Sequence, residues 1–299
     1  MSGRMGCVAG AGWQANCLGS LRIKNETMPL LTLDELQEKA PILKIPAGEN
    51  IGKRLMQWLN VDRVNELYDS LSTLKGPDFA SAALMELGVR YELLCSFNLQ
   101  TLPEGPFIVI ANHPYGSLDG VMLVDIFGHL RPDFKIMVNG FLSRVDSLDE
   151  NFIKVTPKLT GRCAPTNESL QGVRAAMEHV RQGHPIGIFP SGAVSDLSLK
   201  DGCIRDREWQ EPVIRLIKKL RVPIVPVHFL DRNSDFYYLL GLIDWRIRLL
   251  RLPSEVFNKS GRPARIAVGN VIPVNQQDGF TDISAFRNFL RSSVYVNLK

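Results

Sequence analysis

From about residue 90 onward the chain alternates short β-branched and aromatic runs with stretches of helical periodicity. This alternation restricts the fold more than any other feature. Residues 91–96, 107–111, 134–138, 186–189, 224–229 and 265–271 read as strands. Residues 120–131, 168–182, 211–220, 235–251 and 283–294 read as helices. The helix at 168–182 sets Leu170, Val173, Met177 and Val180 on one face, with Asn167 as its cap. Strands alternating with helices predict an α/β class, a mixed, largely parallel sheet flanked by helices. Upstream, Ile51, Leu55, Trp58, Leu59, Val61, Leu67 and Leu71 recur at helical intervals. Gly76-Pro77 interrupts the pattern, and Phe79, Ala82, Leu84, Leu87 and Val89 resume it. An N-terminal helical hairpin over 50–90 is therefore expected, either covering the core or facing lipid as a lid.

With 299 residues, 45% of them hydrophobic, the chain can bury a large core. We expect a flexible extension over 1–48 and a single domain over 49–299, with the α/β core at 91–299. Gly10-Ala11-Gly12-Trp13-Gln14-Ala15 formally matches a dinucleotide fingerprint. Only Cys7-Val8-Ala9 precedes it, which is no strand, so that reading fails. The five cysteines are odd in number and contain no C-x-x-C pair, which argues against a disulfide framework or a structural zinc site. The histidines, at 113, 129, 179, 184 and 228, make no metal-ligand spacing, so no metal is expected. The net charge of +4 suits acidic partners, but no dense basic block argues for nucleic acid. No run approaches the roughly 18 apolar residues of a membrane span.

The segment Phe107-Ile-Val-Ile-Ala-Asn112-His113-Pro114-Tyr115-Gly116-Ser117-Leu118-Asp119-Gly120 carries the chemistry. A buried strand ends in Asn-His, a turn follows, and an acid stands at the start of a helix. His113 then lies at the carboxyl end of a strand, where open α/β sheets bind ligands. Asp119 can fold back onto the imidazole, fix Nδ1 as the protonated nitrogen and leave Nε2 free to take a proton.

This motif resembles the first signature of the glycerolipid acyltransferases, the lysophosphatidic-acid acyltransferase type. Those enzymes carry His-x4-Asp. This chain has one residue more between His113 and Asp119, in the form H-P-Y-G-S-L-D-G, and is similar to a bacterial hemolysin-like or lysophospholipid acyltransferase branch. The resemblance implies that His113 is the general base and Asp119 its orienting acid, with Asn112 and Gly116 beside them. Phe189-Pro190-Ser191-Gly192-Ala193-Val194-Ser195 is similar to the family's Phe-Pro-Glu-Gly-Thr-x-Ser block, which helps bind the acceptor. Ser191 stands where the family has Glu, and Ala193 where the variant branch often has it. Val222-Pro223-Ile224-Val225-Pro226 resembles the block lining the acyl site, through Pro226. Arg162 and Asn167 fall where the family's second block belongs. Arg232 is either a headgroup or carrier contact or a surface arginine.

The resemblance implies an O-acyltransferase, with no tightly bound cofactor and with acyl-CoA or an acyl-carrier protein as co-substrate. Its partners would be a lipid acceptor and an acyl thioester donor. It would sit peripherally on the inner face of the cytoplasmic membrane, with oligomeric state open. The acceptor would be a lysophospholipid or an N-acyl amino acid lipid. Backbone N–H groups near Gly192 are the expected oxyanion donors. Two other readings stand beside it. One is a serine esterase or thioesterase using Ser191 or Ser117, although F-P-S-G-A is not G-x-S-x-G. The other is a catalytically degenerate lipid-binding protein. The stretch 235–251, apolar, aromatic and punctuated by Arg246, Arg248 and Arg251, is either an interfacial helix or a buried one with a basic rim.

Overall fold

The computed structural model describes residue 54 and residues 56–139, 145–155, 167–261 and 263–295. The extension 1–48 and Arg162 lie outside the described residues. The elements relevant below are helices α1 (Val61–Ser70), α2 (Gly76–Glu86) and α3 (Ser117–Leu130), with strands β1 (Tyr91–Leu94), β2 (Ile108–Ala111), β3 (Lys135–Asn139) and β4 (Phe152–Val155). They continue with α4 (Asn167–Arg181), β5 (Ile186–Ile188), β6 (Asp196–Ser198), β7 (Cys203–Arg205), α5 (Glu211–Leu220) and β8 (Ile224–Phe229). The rest are α6 (Asp235–Ile243), α7 (Trp245–Leu250), α8 (Leu252–Phe257), β9 (Ala264–Val268), α9 (Val274–Asp278) and α10 (Ile283–Tyr295).

A 7-stranded sheet has the order β1-β9-β8-β2-β5-β3-β4. The pairs β8–β2, β2–β5, β5–β3 and β3–β4 are parallel. β9 runs antiparallel to β8, and β1 parallel to β9. This is the mixed, largely parallel sheet expected. Successive side chains of a strand point to opposite faces, and β2 shows the consequence. Phe107, Val109 and Ala111 join one core with Leu84 of α2 and Leu123 and Phe127 of α3. Ile108 and Ile110 join the other with Ala176 and Val180 of α4, Ile214 and Ile217 of α5, and Phe286 and Leu290 of α10. Burial on both faces is why this strand is apolar throughout rather than alternating.

Four features differ from expectation. The stretch 235–251 is not one helix: Asp244 is extended (φ −156°, ψ 130°), ends α6, and caps α7 by accepting from Arg246 N. A second feature missed is edge strand β4, and a third is the β6–β7 antiparallel hairpin. The strand expected over 265–271 stops at Val268, with Ile272 making an isolated bridge to Ile224.

Candidate active site

β2 delivers Asn112 and His113 to the carboxyl edge of the sheet. The Asn112 amide clips that exit to the neighbouring strand: Nδ2 donates to Phe229 O at 2.9 Å and Oδ1 accepts from Phe229 N at 2.8 Å. The chain then turns through Pro114-Tyr115-Gly116 into α3. Gly116 sits at φ +86°, where a Cβ would stand 3.0 Å from Leu252 Cδ2 and 3.3 Å from Val194 Cγ2. Glycine is needed there for conformation as well as space. The turn brings Asp119, in the first turn of α3, back beneath His113.

His113 Nδ1 lies 2.7 Å from Asp119 Oδ2; the carboxylate is fully buried and the imidazole 14% exposed. Asp119 Oδ2 also accepts from Tyr115 N and Gly116 N, each at 3.0 Å. Burial pushes the Asp119 carboxyl above its ordinary range, while the His113 contact and the two amides pull against that rise. The His113 ring stacks on Phe189 at 4.2 Å between centroids and 29° between planes. The ring thus has one nitrogen against a buried carboxylate and one face against an aromatic ring.

The loop after β5 supports this ring through Phe189 and spends its polar groups internally. Gly192, at φ +65°, donates its N–H to Phe189 O at 3.0 Å. That amide is therefore already engaged. Ser191, also buried, donates its hydroxyl to Ala193 O at 2.8 Å. Pro190 O accepts from Gln210 N at 2.9 Å, and Gln210 Nε2 donates to Ser191 O at 3.0 Å. Pro226 lies within β8 opposite Ile110, inside the sheet. Asn167 opens α4, which packs on edge strand β4. Arg232 pairs with Asp235 at 2.9 Å and lines a cavity of about 1140 Å³. That cavity shares Tyr115 and Leu118 with the His113–Asp119 turn, and His113 is not on its wall.

Sequence reasoning missed Asp206. This buried carboxylate accepts from His113 N at 3.1 Å, Ser195 Oγ at 2.6 Å and Trp209 Nε1 at 3.1 Å. Ser195 N in turn donates to His113 O at 2.9 Å. The backbone of His113 is held on both sides by the segment that follows β5. Arg291 on α10 donates to Asp206 O at 2.8 Å, and Asp206 N donates to Tyr295 OH at 3.0 Å. A further brace comes from α6 and the connection leading into it: Tyr238 OH donates to Pro114 O at 2.8 Å and Asn233 Nδ2 to Tyr115 O at 3.2 Å.

A family model described as "Acyltransferase" matches residues 35–299. A curated lyso-glycine lipid O-acyltransferase of Bacteroides thetaiotaomicron is 26% identical over 284 residues, covering 91% of this chain and 98% of the relative. A lyso-glycine lipid O-acyltransferase of Phocaeicola vulgatus is 27% identical, covering 85% and 92%. The solved 1-acyl-sn-glycerophosphate acyltransferase of Thermotoga maritima superposes with TM-score 0.48 at 15% identity, covering 89% of this chain and 92% of that one.

Proposed function

The chain belongs to the acyltransferase family, and from that premise we propose that it moves a fatty acyl group from an acyl thioester to the hydroxyl of a lyso-lipid. The observation that carries the reading is the 2.7 Å contact between His113 Nδ1 and buried Asp119 Oδ2. An alcohol's pKa lies far above neutrality, so its oxygen attacks a thioester only as a base removes the proton. His113 Nε2 takes that proton while the acceptor oxygen bonds to the thioester carbonyl carbon. Asp119 stabilises the imidazolium. The tetrahedral intermediate collapses, the C–S bond breaks, and the imidazolium proton passes to the departing thiolate. The donor is acyl-CoA or an acyl-carrier protein; no acyl-enzyme and no tightly bound cofactor or metal takes part.

For the acceptor we favour an N-acyl amino acid lipid bearing a free hydroxyl, since both curated relatives are named for a lyso-glycine lipid. A lysophospholipid is the second candidate. The enzyme works peripherally, on the inner face of the cytoplasmic membrane; among the described residues no helix is long and apolar enough to cross one. The esterase reading gains no support from Ser191, whose hydroxyl is spent on Ala193 O.

The test is product identification. Purified protein is given labelled acyl-CoA or acyl-carrier protein with hydroxylated N-acylglycine, lysophosphatidic acid and other lysophospholipids, and products are read by mass spectrometry. Transfer that needs His113 and survives Ser191→Ala is expected. Thioester hydrolysis without transfer, with Ser191 labelled by a fluorophosphonate, would overturn the reading.

A further inference from the structure

We propose that the outer face of α6 and α7, together with Trp58, is the surface that seats this protein on an anionic lipid bilayer. The proposal rests on the peripheral-membrane reading above and names the part of the molecule that makes the contact. α6 is two-faced. Tyr237 and Tyr238 are buried, and Gly241 packs its backbone against the Arg248 side chain, where a Cβ would stand 2.9 Å from Cδ. On the opposite side Phe236, Leu239, Leu242 and Ile243 are all exposed, Ile243 to 76%. The break at Asp244 redirects the chain, and α7 adds exposed Trp245 and Leu249 while burying Arg248 and Leu250. Large apolar side chains so exposed at neighbouring positions mark an interaction surface.

The arginines identify the partner. Arg248 is drawn inward, donating to Ser195 O at 3.1 Å and to Asp196. The other two stay with the outer aromatics. The Arg251 guanidinium lies 5.0 Å from the Trp58 ring centroid and 5.7 Å from that of Phe236, so it joins Trp58 to α6. Arg246 is exposed and lies 5.3 Å from the Trp245 ring. The nearby acids are already occupied: Asp235 pairs with Arg232, and Asp244 caps α7. Apolar side chains bordered by tryptophan and arginine match the boundary between acyl chains and anionic headgroups, where rings sit at headgroup depth and guanidinium groups meet lipid phosphates.

The same elements reach the catalytic turn from behind. Tyr238 OH holds Pro114 O at 2.8 Å. Ser234 caps α6 by accepting from Tyr237 N at 3.2 Å, and its own hydroxyl donates to Glu255 at 2.6 Å. A bilayer bound to the outer face of α6 therefore meets a helix fixed to the His113 turn, which orients the site relative to the membrane that supplies its acceptor.

The full chain is tested by co-sedimentation with phosphatidylcholine vesicles, with and without phosphatidylglycerol, and by quenching of tryptophan fluorescence with brominated lipids. The wild type should bind the anionic vesicles more tightly than the neutral ones, with Trp245 and Trp58 quenched. Leu239→Ser with Ile243→Asp should weaken binding by roughly tenfold or more, and Arg246→Gln should remove part of the anionic preference. The double variant should turn over a short-chain, water-soluble acceptor like the wild type. If it binds vesicles as tightly as the wild type, or if ultracentrifugation shows the face joining two copies, the proposal is overturned. Vesicle binding through this face without any acyl transfer by the wild type would instead count against the proposed function alone.

Discussion

β2 and β5 are hydrogen-bonded neighbours, and both end at the same edge of the sheet, yet their exits do opposite things. The β2 exit keeps one imidazole partly open and turns a buried carboxylate onto it. The β5 exit closes on itself: Ser191, Gly192 and Gln210 bond to loop carbonyls, and only the Phe189 ring reaches the imidazole. Adjacent connections thus divide the work, one presenting an imidazole and the other holding it. The lesson is that a loop resembling a binding motif can serve by rigidity, with its polar groups satisfied internally.

The largest expected effect tests the β2 exit. Asp119→Asn keeps the shape and leaves its carbonyl oxygen on the Tyr115 and Gly116 amides, but it removes the negative charge that would stabilise the imidazolium. Acyl transfer should fall by about 10²–10⁴-fold. Stability should move the other way with pH. Burial raises the folded Asp119 carboxyl above its ordinary range, so the folded state holds that proton more tightly than the unfolded chain does. Its ionisation costs the wild type stability as pH rises from the ordinary carboxylate range toward the raised folded pKa. The variant escapes this cost, so denaturant melts should show the stability difference shifting in its favour over that window. A variant with near-normal turnover would break the comparison at its strongest point.

Next in size is Asp206, which joins the two exits through His113 N and Ser195 Oγ. Asp206→Ala leaves three buried donors unpaired and should cost about 3–5 kcal/mol. Asp206→Asn, which keeps one acceptor, should recover much of the fold and part of kcat. Steady-state kinetics on the folded Asn variant should show kcat falling more than KM rises.

The smallest effects belong to the β5 exit. Gly192→Ala faces the Gln210 side chain at positive φ and should cost about 1–3 kcal/mol with little change in kcat once folded. Ser191→Ala removes one hydrogen bond to Ala193 O, worth about 1 kcal/mol. A collapse of turnover in Ser191→Ala would give the β5 exit a chemical role and erase the contrast.

The two exits also differ in how far they could be read from sequence. β2 is legible because burial on both faces leaves an uninterrupted apolar run, β8 reads the same way up to His228, and the residue type and spacing of His113 and Asp119 describe a local turn. β4 was missed because a four-residue edge strand with an exposed Lys154 carries little pattern. The break at Asp244 hides because apolar periodicity continues across it, although Asp before Trp245 is a cap signal. Asp206 could not be found from spacing, since it lies 93 residues from His113 in the chain and only the fold unites them. The inward turn of the Gly192 amide likewise depends on backbone conformation rather than residue type.

The most direct test of the account is the location of the imidazole proton on His113. Nitrogen-15 spectra of histidine-labelled protein, with the His113 signals assigned by difference from His113→Gln, report the two ring nitrogens separately. The neutral ring should carry its proton on Nδ1, facing Asp119, with Nε2 bare and able to act as a base. A neutral ring protonated on Nε2 in the wild-type protein would contradict the account.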